Sequence, residues 1–343
     1  MSRSMPAVIV VLSLIAAGCG GGSGAGPGAD SEVVVYTSVD AVFARPVAED
    51  FTSQTGIVVR LVTDTEETKS TGLLNRLMAE KKRPQADVFW SGDPVRAAIL
   101  KRHGVAVPYS SPVAEGLPPE FSDPEGFWTG FSTRARVLIY NTDLIPEAEA
   151  PTSVFDLNDP RFSGRACLAN PLFGTTSMHA AALFSNLGQE GATEFFDAFP
   201  ANGGRILSSN GEVRRRVSSG EFALGLTDTD DANVARLEGS PIAVVFPDSG
   251  GIGTLLVPNC AVLIAGAPHA DAGRLFIDFL LSPATEGVLA ASEAAQIPLR
   301  PGVAVPDGMI TLAEIDAMEV DYGQLAAELE DLSAGYLKEW VAR

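Results

Sequence analysis

Three aspartates within four positions, Asp228, Asp230 and Asp231, follow the short apolar run Phe222 to Leu226 and precede a stretch with helical spacing. The apolar run predicts a buried strand, so the acids stand at its C-terminal end, where open α/β sheets bind their ligands. Clustered carboxylates are rarely buried unpaired, and they favour a cation, an amine or water. A loop that caps the next helix is the competing interpretation, because Asp is a preferred N-cap residue.

Other polar residues follow predicted strands or begin predicted helices. Hydroxyls and unpaired amides at a helix start bind anions, and arginine pairs with the same groups. Together with the acids, these positions are candidates for the lining of a ligand cleft. The candidate ligand-binding residues are Thr37, Ser38, Asp40, Ser70, Thr71, Trp90, Ser91, Asp93, Arg134, Gly174, Thr175, Thr176, Ser209, Asn210, Asp228, Thr229, Asp230 and Asp231.

Length and charge limit the possible functions. The chain has 343 residues, enough for two domains, and a formal net charge of −19. Nucleic-acid binding needs a basic face, so the strongly negative net charge argues against a nucleic-acid-binding protein. The sequence has no nucleophile elbow and no zinc-binding His-Glu motif, and its three histidines are scattered. We therefore expect a monomeric binding protein that is not an enzyme and carries no cofactor.

The first residues indicate export. The apolar run Ala7 to Ala17 is too short to span a bilayer but suits the core of a signal peptide. It ends in Ala16-Ala17-Gly18-Cys19, which resembles a lipobox, so we expect residues 1–19 to form a lipoprotein signal peptide and Cys19 to be lipidated. Residues 20–31 would be a flexible Gly/Ser tether. This predicts a periplasmic or cell-surface protein that contacts a membrane only through its lipid, with ordinary secretion as the alternative.

Two further cysteines, Cys167 and Cys260, lie in predicted strands. In an exported protein two cysteines can pair, so a disulfide between them is possible. Spacing in the sequence cannot show whether they lie close enough. The pairing stays open at this point.

The order of predicted elements favours a mostly parallel α/β sheet. Apolar strand runs alternate with helical patterns from residue 32 onward, and two longer strand patterns, near 131–140 and 255–264, can cross between lobes. We expect one lobe over 32–132 and 258–305. The other would cover 133–257 and 306–343 and include a C-terminal docking helix.

Six segments follow one another in the order Val33 to Ser38, Ala86 to Ser91, Ser132 to Val137, Asn210 to Val213, Gly220 to Gly225 and Gln296 to Leu299. Together they resemble the bacterial ferric-ion-binding family of ABC-transporter solute-binding proteins. The resemblance covers nearly all of the chain after the tether. It implies a two-lobed periplasmic-binding-protein fold of type II, each lobe a mostly parallel sheet flanked by helices, joined by crossing hinge strands. It also implies ligand delivery to an ABC permease and its ATPase.

The sequence also departs from this family at the positions that hold iron. Iron-binding members usually present two adjacent tyrosines where this chain has Asp230 and Asp231, a histidine at Asp40 and a glutamate at Gly92, beside Asp93. The resemblance therefore leaves three hypotheses. The ligand is a small phosphorylated or zwitterionic anion similar to an aminoalkylphosphonate. Alternatively, the protein carries ferric iron, with a companion anion, on Asp40, Asp93, Asp230 and Asp231. Lastly, it is a sensory or interaction lipoprotein on the same scaffold.

Overall fold

The computed structural model describes residues 31–65 and 68–343. The signal peptide, Cys19 and most of the tether predicted from sequence lie outside these residues. The strands are β1 (Glu32–Thr37), β2 (Val58–Thr63), β3 (Val88–Ser91), β4 (Ala106–Val107), β5 (Thr129–Asn141), β6 (Ala166–Ala169), β7 (Arg205–Leu207), β8 (Leu224–Asp228), β9 (Ile242–Val245) and β10 (Leu256–Ile264). The α-helices are α1 (Ala41–Thr55), α2 (Thr71–Glu80), α3 (Pro94–Arg102), α4 (Gly174–Ala201), α5 (Asn210–Ser218), α6 (Thr229–Leu237), α7 (Ala270–Leu280), α8 (Pro283–Ala291), α9 (Tyr322–Ala334) and α10 (Tyr336–Val341).

The strands form one continuous curled sheet in the order β2-β1-β3-β10-β5-β8-β6-β7, with β4 added to β10 and β9 added to β5. Pairs at the two ends of this order are parallel, as in β1 with β2 and β6 with β7. The two long central strands, β5 and β10, are antiparallel to each other. Two mostly parallel halves are thus joined by two crossing strands, which confirms the predicted two-lobed α/β class.

The crossing strands are irregular where the lobes meet. The pairing of β5 with β10 shifts register between Pro258 and Asn259, and Ser132 has a φ of 41°. The Glu286 carboxylate accepts a hydrogen bond from the Ser132 amide at 2.8 Å, which helps to hold this uncommon backbone conformation. The lobe boundaries predicted at 132/133 and 257/258 fall at this point, and we keep them as the proposed limits of the lobes.

The first lobe has an apolar core between its sheet and the helices on one face. Val33 and Val35 of β1 are fully buried against aromatic residues of α1 and α7. Phe51 and Phe276 meet edge to face with ring centroids 5.0 Å apart. Because both faces of a parallel sheet are covered, its strands are apolar at nearly every position, and this is the pattern that predicted them.

The C-terminal helices contact both lobes. Helix α9 packs against α3 of the first lobe and α4 of the second. Trp340 of α10 then donates its indole N–H to the Phe196 carbonyl of α4 at 2.8 Å. The sequence predicted that this segment docks on one lobe, whereas in the structure it packs against helices of both lobes. Within residues 31–65 and 68–343, no helix combines the length and the apolar character that crossing a membrane requires.

Candidate functional site

A polar cavity of about 50 Å³ lies between the lobes, at the ends of β6 and β8 and the starts of α4, α5 and α6. This is the sheet edge where α/β proteins bind ligands. Loops that follow β1 and β2 form the opposite wall. The lining residues are Ser38, Asp40, Lys69, Ser70, Arg134, Ala169, Asn170, Phe173, Gly174, Thr175, Thr176, Ser208, Ser209, Asn210, Asp228, Asp230 and Asp231.

The structure brings two thirds of the predicted ligand-binding residues to this cavity and leaves the others outside it. Residues from both lobes contribute, which is the arrangement expected of a cleft that closes over a ligand. The predicted residues in the lining are Ser38, Asp40, Ser70, Arg134, Gly174, Thr175, Thr176, Ser209, Asn210, Asp228, Asp230 and Asp231.

Three predicted residues of the first lobe instead stabilise local backbone. The Thr37 hydroxyl accepts a hydrogen bond from the Val39 amide at 3.0 Å, and the Ser91 hydroxyl donates to the Asp93 carbonyl at 2.6 Å. Asp93 caps α3 by accepting from the Arg96 amide at 3.0 Å. All three side chains are fully buried and turned away from the cavity. Their polar groups bond to turn and helix-start backbone, and the structure does not bring these three residues to the cavity lining.

Two predicted threonines bond to backbone groups that are distant in the sequence. The Thr71 hydroxyl lies 3.5 Å from the Leu172 carbonyl, outside the cavity lining. Thr229 accepts a hydrogen bond from the Ala135 amide at 3.2 Å and borders a different surface groove. Both residues begin helices, and each connects its helix start to another element of the fold. They flank the site without lining it.

Trp90 is a core residue and not part of the site. It is fully buried beside Phe131, with ring centroids 6.0 Å apart. Side chains alternate along a strand, and this position points into the first-lobe core. We expect Trp90→Phe to lower the free energy of unfolding by about 1–3 kcal/mol, as core volume changes do, and to leave ligand affinity unchanged. Urea unfolding and calorimetry would measure the two effects, and a loss of affinity with unchanged stability would contradict the assignment.

Asp228 is the most strongly bonded acid of the site. It is buried, and Arg136 Nη1 lies 2.6 Å and Arg134 Nη1 3.3 Å from its carboxylate. Thr175 donates a further hydrogen bond at 2.7 Å. Burial raises the pKa of Asp228, but the two guanidinium groups outweigh it and hold the pKa below its ordinary value. Asp228 is therefore an ionised counter-ion for the arginines and has little capacity left for a ligand cation.

Arg136 was not predicted as a site residue, yet it organises one wall of the cavity. Besides Asp228, it donates to Thr175 and Thr176 at 3.0 and 3.2 Å and to Asn210 at 3.2 Å. It is fully buried and does not line the cavity itself. Strand alternation places Arg136 on the same face as Arg134, and this spacing was the signal that could have identified it. Arg136 thereby fixes the starts of α4 and α5 relative to β8.

Asp230 is buried but weakly paired. Its carboxylate lies 3.6 Å from Arg134 Nη1 and accepts a hydrogen bond from the Asp231 amide at 2.9 Å. Burial is the main reason that its pKa rises to about 6, and the nearby charges of Asp228 and Asp40 add to the rise. Asp230 is thus a carboxylate at the cavity wall that a ligand cation would stabilise.

Asp231 diverges from its neighbour, as adjacent residues at a helix start do. It accepts a hydrogen bond from the Thr227 hydroxyl at 2.9 Å and lies 3.8 Å from Arg214 Nε. Burial, followed by the charges of Asp230 and Asp228, raises the pKa of Asp231. Asp231 borders the cavity while its carboxylate is engaged on the side of α5.

The opposite wall contains an ion pair between Asp40 and Lys69. The Lys69 ammonium lies 2.6 Å from the Asp40 carboxylate, whose side chain is 37% exposed. Lys69 was not predicted as a site residue, although it directly precedes the Ser70-Thr71 segment that was. No periodicity marks a single lysine in a polar loop, so its role depends on the loop's position in the fold.

The starts of α4 and α5 border the cavity with hydroxyl, amide and backbone groups. Gly174, with a φ of 55°, begins α4 without a capping side chain, since Phe173 occupies the N-cap position. The first-turn amides of α4 therefore have no side-chain cap where they border the cavity, and the positive end of the helix dipole adds to their attraction for an anion. At α5 the Ser209 hydroxyl accepts from the Glu212 amide at 3.1 Å. Two helix starts and Arg134 thus converge on the cavity.

The four acids proposed for a ferric site do not meet. Asp93 is buried at the start of α3, and in the described part of the chain no group of three or more His, Cys, Asp or Glu side chains is placed to hold a metal ion. Carboxylates of the second lobe already face arginines. The structure therefore does not bring Asp40, Asp93, Asp230 and Asp231 together as one coordination shell.

The possible disulfide is also absent. Cys167 in β6 and Cys260 in β10 are separate buried free thiols. Cys167 Sγ lies 3.6 Å from the Leu224 carbonyl and Cys260 Sγ 3.3 Å from the Asp93 carbonyl. They occupy different lobes, so the strands that carry them do not bring them together. The proposed lipidation site, Cys19, lies outside the described residues.

Comparisons with known proteins agree with this architecture. The model of the family described as bacterial extracellular solute-binding protein matches residues 83–309. Iron uptake protein A1 of Synechocystis sp. is 30% identical over 271 residues, which cover 74% of this chain and 73% of that protein. A putative 2-aminoethylphosphonate-binding periplasmic protein of Salmonella typhimurium is 30% identical over 241 residues, covering 68% and 67%.

Solved structures show the same fold. The periplasmic binding protein AfuA from Actinobacillus pleuropneumoniae, solved with fructose-6-phosphate, superposes with a TM-score of 0.81 at 22% identity. The match covers 91% of this chain and 99% of AfuA. The chain therefore belongs to the bacterial extracellular solute-binding proteins, in the family that includes the ferric-iron-binding periplasmic proteins of ABC transporters.

Proposed function

We propose that this protein is the lipid-anchored solute-binding component of an ABC importer. It would be exported, acylated at Cys19, and present its ligand to a permease and ATPase. Its relatives are solute-binding transport proteins, and the cavity between two lobes joined by crossing strands suits a ligand trap. The sequence contains no nucleophile elbow and no zinc-binding His-Glu motif.

We further propose that the ligand is a small zwitterion with a phosphonate or phosphate at one end and an ammonium at the other. One observation carries this choice: the α4 and α5 starts and Arg134 line the same cavity as Asp230 and Asp40. An anion would bind at the helix starts, and an ammonium would bind at Asp230, whose carboxylate lies 3.6 Å from Arg134 Nη1. An aminoalkylphosphonate fits this description, and one relative carries that ligand in its name.

Ferric iron is the second candidate, because another relative is named as an iron uptake protein. Iron(III) accepts carboxylate oxygens, and a companion anion could occupy the helix starts. Two observations argue against iron as the ligand. Asp228 forms ion pairs with two arginines, and Asp40 forms an ion pair with Lys69. The lining of the cavity contains no tyrosine among the described residues.

Calorimetric titration of the purified protein with 2-aminoethylphosphonate and, separately, with ferric citrate tests the choice. We expect saturable binding of the phosphonate and none of iron. Iron binding with a visible charge-transfer band would contradict the proposal, because carboxylates lack the phenolate transition. Thermal stabilisation by each compound is the companion measurement, since a ligand that binds only the folded chain raises its melting temperature.

The affinity for 2-aminoethylphosphonate is expected to fall as the pH drops through about 6. Asp230 has its pKa raised to about 6, so it loses below that pH the charge that binds the ammonium. The phosphonate titrates in the same range, so the measured quantity is the ratio of wild-type affinity to that of Asp230→Asn. This ratio should fall about tenfold per pH unit below 6. A ratio that stays constant between pH 5 and 8 would remove Asp230 from the ligand site.

A further inference from the structure

Arg96 of α3 forms hydrogen bonds with the other lobe without lining the ligand cavity. Its Nη2 donates to the Ser177 hydroxyl at 2.6 Å and its Nη1 to the Gly174 carbonyl at 3.3 Å. Both acceptors lie in the first turn of α4, the helix that supplies the anion-binding amides. Arg96 is 2% exposed and absent from the cavity lining.

The position of Arg96 in α3 directs its side chain toward α4. It is the third residue of the helix, and helical side chains lean toward the N-terminal end of their helix. The Asp93 carboxylate, 3.5 Å from Arg96 Nη1, balances the buried charge. Asp93 and Arg96 therefore form a charged pair in the first lobe that is oriented toward the second.

Two more hydrogen bonds join the lobes beside Arg96. The Gly174 amide donates to the Lys69 carbonyl at 3.1 Å, and the Thr71 hydroxyl lies 3.5 Å from the Leu172 carbonyl. The first residue of α4 is thus bound by the first lobe through both its amide and its carbonyl. The donors and acceptors of these bonds belong to opposite lobes, so a movement that separated α3 from the start of α4 would break them.

We propose that Arg96 is a positioning residue that stabilises the closed form and slows ligand release, without contacting the ligand. This inference rests on the proposed solute-binding function. An open cleft would return Arg96 to water and break its bonds to Gly174 and Ser177. The bonds therefore favour closure and hold the first turn of α4 against the cavity.

The first test measures association and dissociation rates of 2-aminoethylphosphonate by stopped flow. Ligand enters the open form, and Arg96→Ala does not remove any of that form, so the substitution should not lower the association rate. It should raise the dissociation rate roughly 10- to 100-fold, as expected for lost hydrogen bonds to a charged group. Arg96→Lys keeps the positive charge but lacks the planar guanidinium group with its several N–H donors. Its dissociation rate should therefore lie between those of the wild type and Arg96→Ala. Arg76→Ala is the control, because Arg76 pairs with Glu80 within α2.

A double-mutant cycle tests the contact itself. If Arg96 acts through Ser177, Arg96→Ala and Ser177→Ala should have less than additive effects on the dissociation rate. A residue with only a structural role would lower the free energy of unfolding and leave the dissociation rate unchanged. Additive effects, or an effect confined to the association rate, would overturn the proposal.

A measurement without ligand separates this proposal from the proposed function. Spin labels on Val42→Cys and Leu237→Cys, whose native side chains are 63% and 55% exposed, report the distance between the lobes. Arg96→Ala should shift the distances of the ligand-free protein to longer values. Distributions identical to those with native Arg96 would overturn the proposal. Failure of 2-aminoethylphosphonate to bind the wild type would overturn only the proposed ligand.

Discussion

Asp228→Ala is expected to lower the free energy of unfolding by about 3–5 kcal/mol, the cost of removing one partner from a buried ion pair. The substitution leaves Arg136 fully buried without its 2.6 Å counter-ion and also removes the acceptor of the Thr175 hydroxyl. The starts of α4 and α5 would lose their shared connection to β8. Urea unfolding of the ligand-free protein, followed by circular dichroism, measures the change.

The control for this prediction is Asp271→Ala, which breaks the exposed pair of Asp271 with Arg274. The Asp271 side chain is 77% exposed, so this loss should cost at most about 1 kcal/mol. Equal effects of the two substitutions would show that Asp228 and Arg136 are not paired in the folded protein. Acidification should act in the same direction as Asp228→Ala. Because the folded pKa of Asp228 is lowered, its contribution to stability is present above the unfolded pKa and is lost as the pH falls through the folded value.

Asp230→Asn is expected to have opposite effects on binding and on stability. Ligand affinity should fall roughly 100-fold or more, because the ligand ammonium would lose its partner in a buried pair. The ligand-free protein should become more stable at neutral pH. The folded pKa of Asp230, about 6, exceeds that of an ordinary carboxyl, so the charged form is less favourable in the folded chain than in the unfolded one.

Melting temperatures of ligand-free wild type and Asp230→Asn at pH 5 and pH 7.5 test the stability effect. The variant should exceed the wild type by more at pH 7.5, where Asp230 is ionised, than at pH 5. A variant that is less stable than the wild type at both pH values would indicate that Arg134 stabilises the charged Asp230 carboxylate in the wild-type protein. Unchanged ligand affinity would support the competing interpretation of Asp230 as a helix-start residue without a ligand.

Much of the fold could be predicted because the relevant patterns are local. Continuous apolar runs such as Val33 to Val35 identify strands covered on both faces, and alternation with helical patterns gives the order of a parallel sheet. The C-terminal helices were less predictable. Their apolar stripe showed that they pack, but whether α9 contacts one lobe or two depends on where α3 and α4 lie in space.

The candidate site was predictable where a residue's position in an element decides its direction. Thr175 and Thr176 begin a helix at the sheet edge, and the structure places both in the cavity lining. Thr37 and Asp93 follow the same kind of pattern, yet their side chains bond to backbone of their own lobe. A polar residue after a strand can stabilise a turn or line a cleft, and the local sequence is similar in the two cases.

The sequence by itself determined that three aspartates follow a buried strand and that tyrosines are absent from this stretch of the chain. Only the tertiary structure decided how those acids are neutralised. Asp228 meets Arg136 across 92 residues of chain, whereas Asp230 is left with one arginine contact at 3.6 Å. The physical reason is that the charge of a buried acid depends on its distance to cations and on its burial. Both are set by how two lobes and their crossing strands pack.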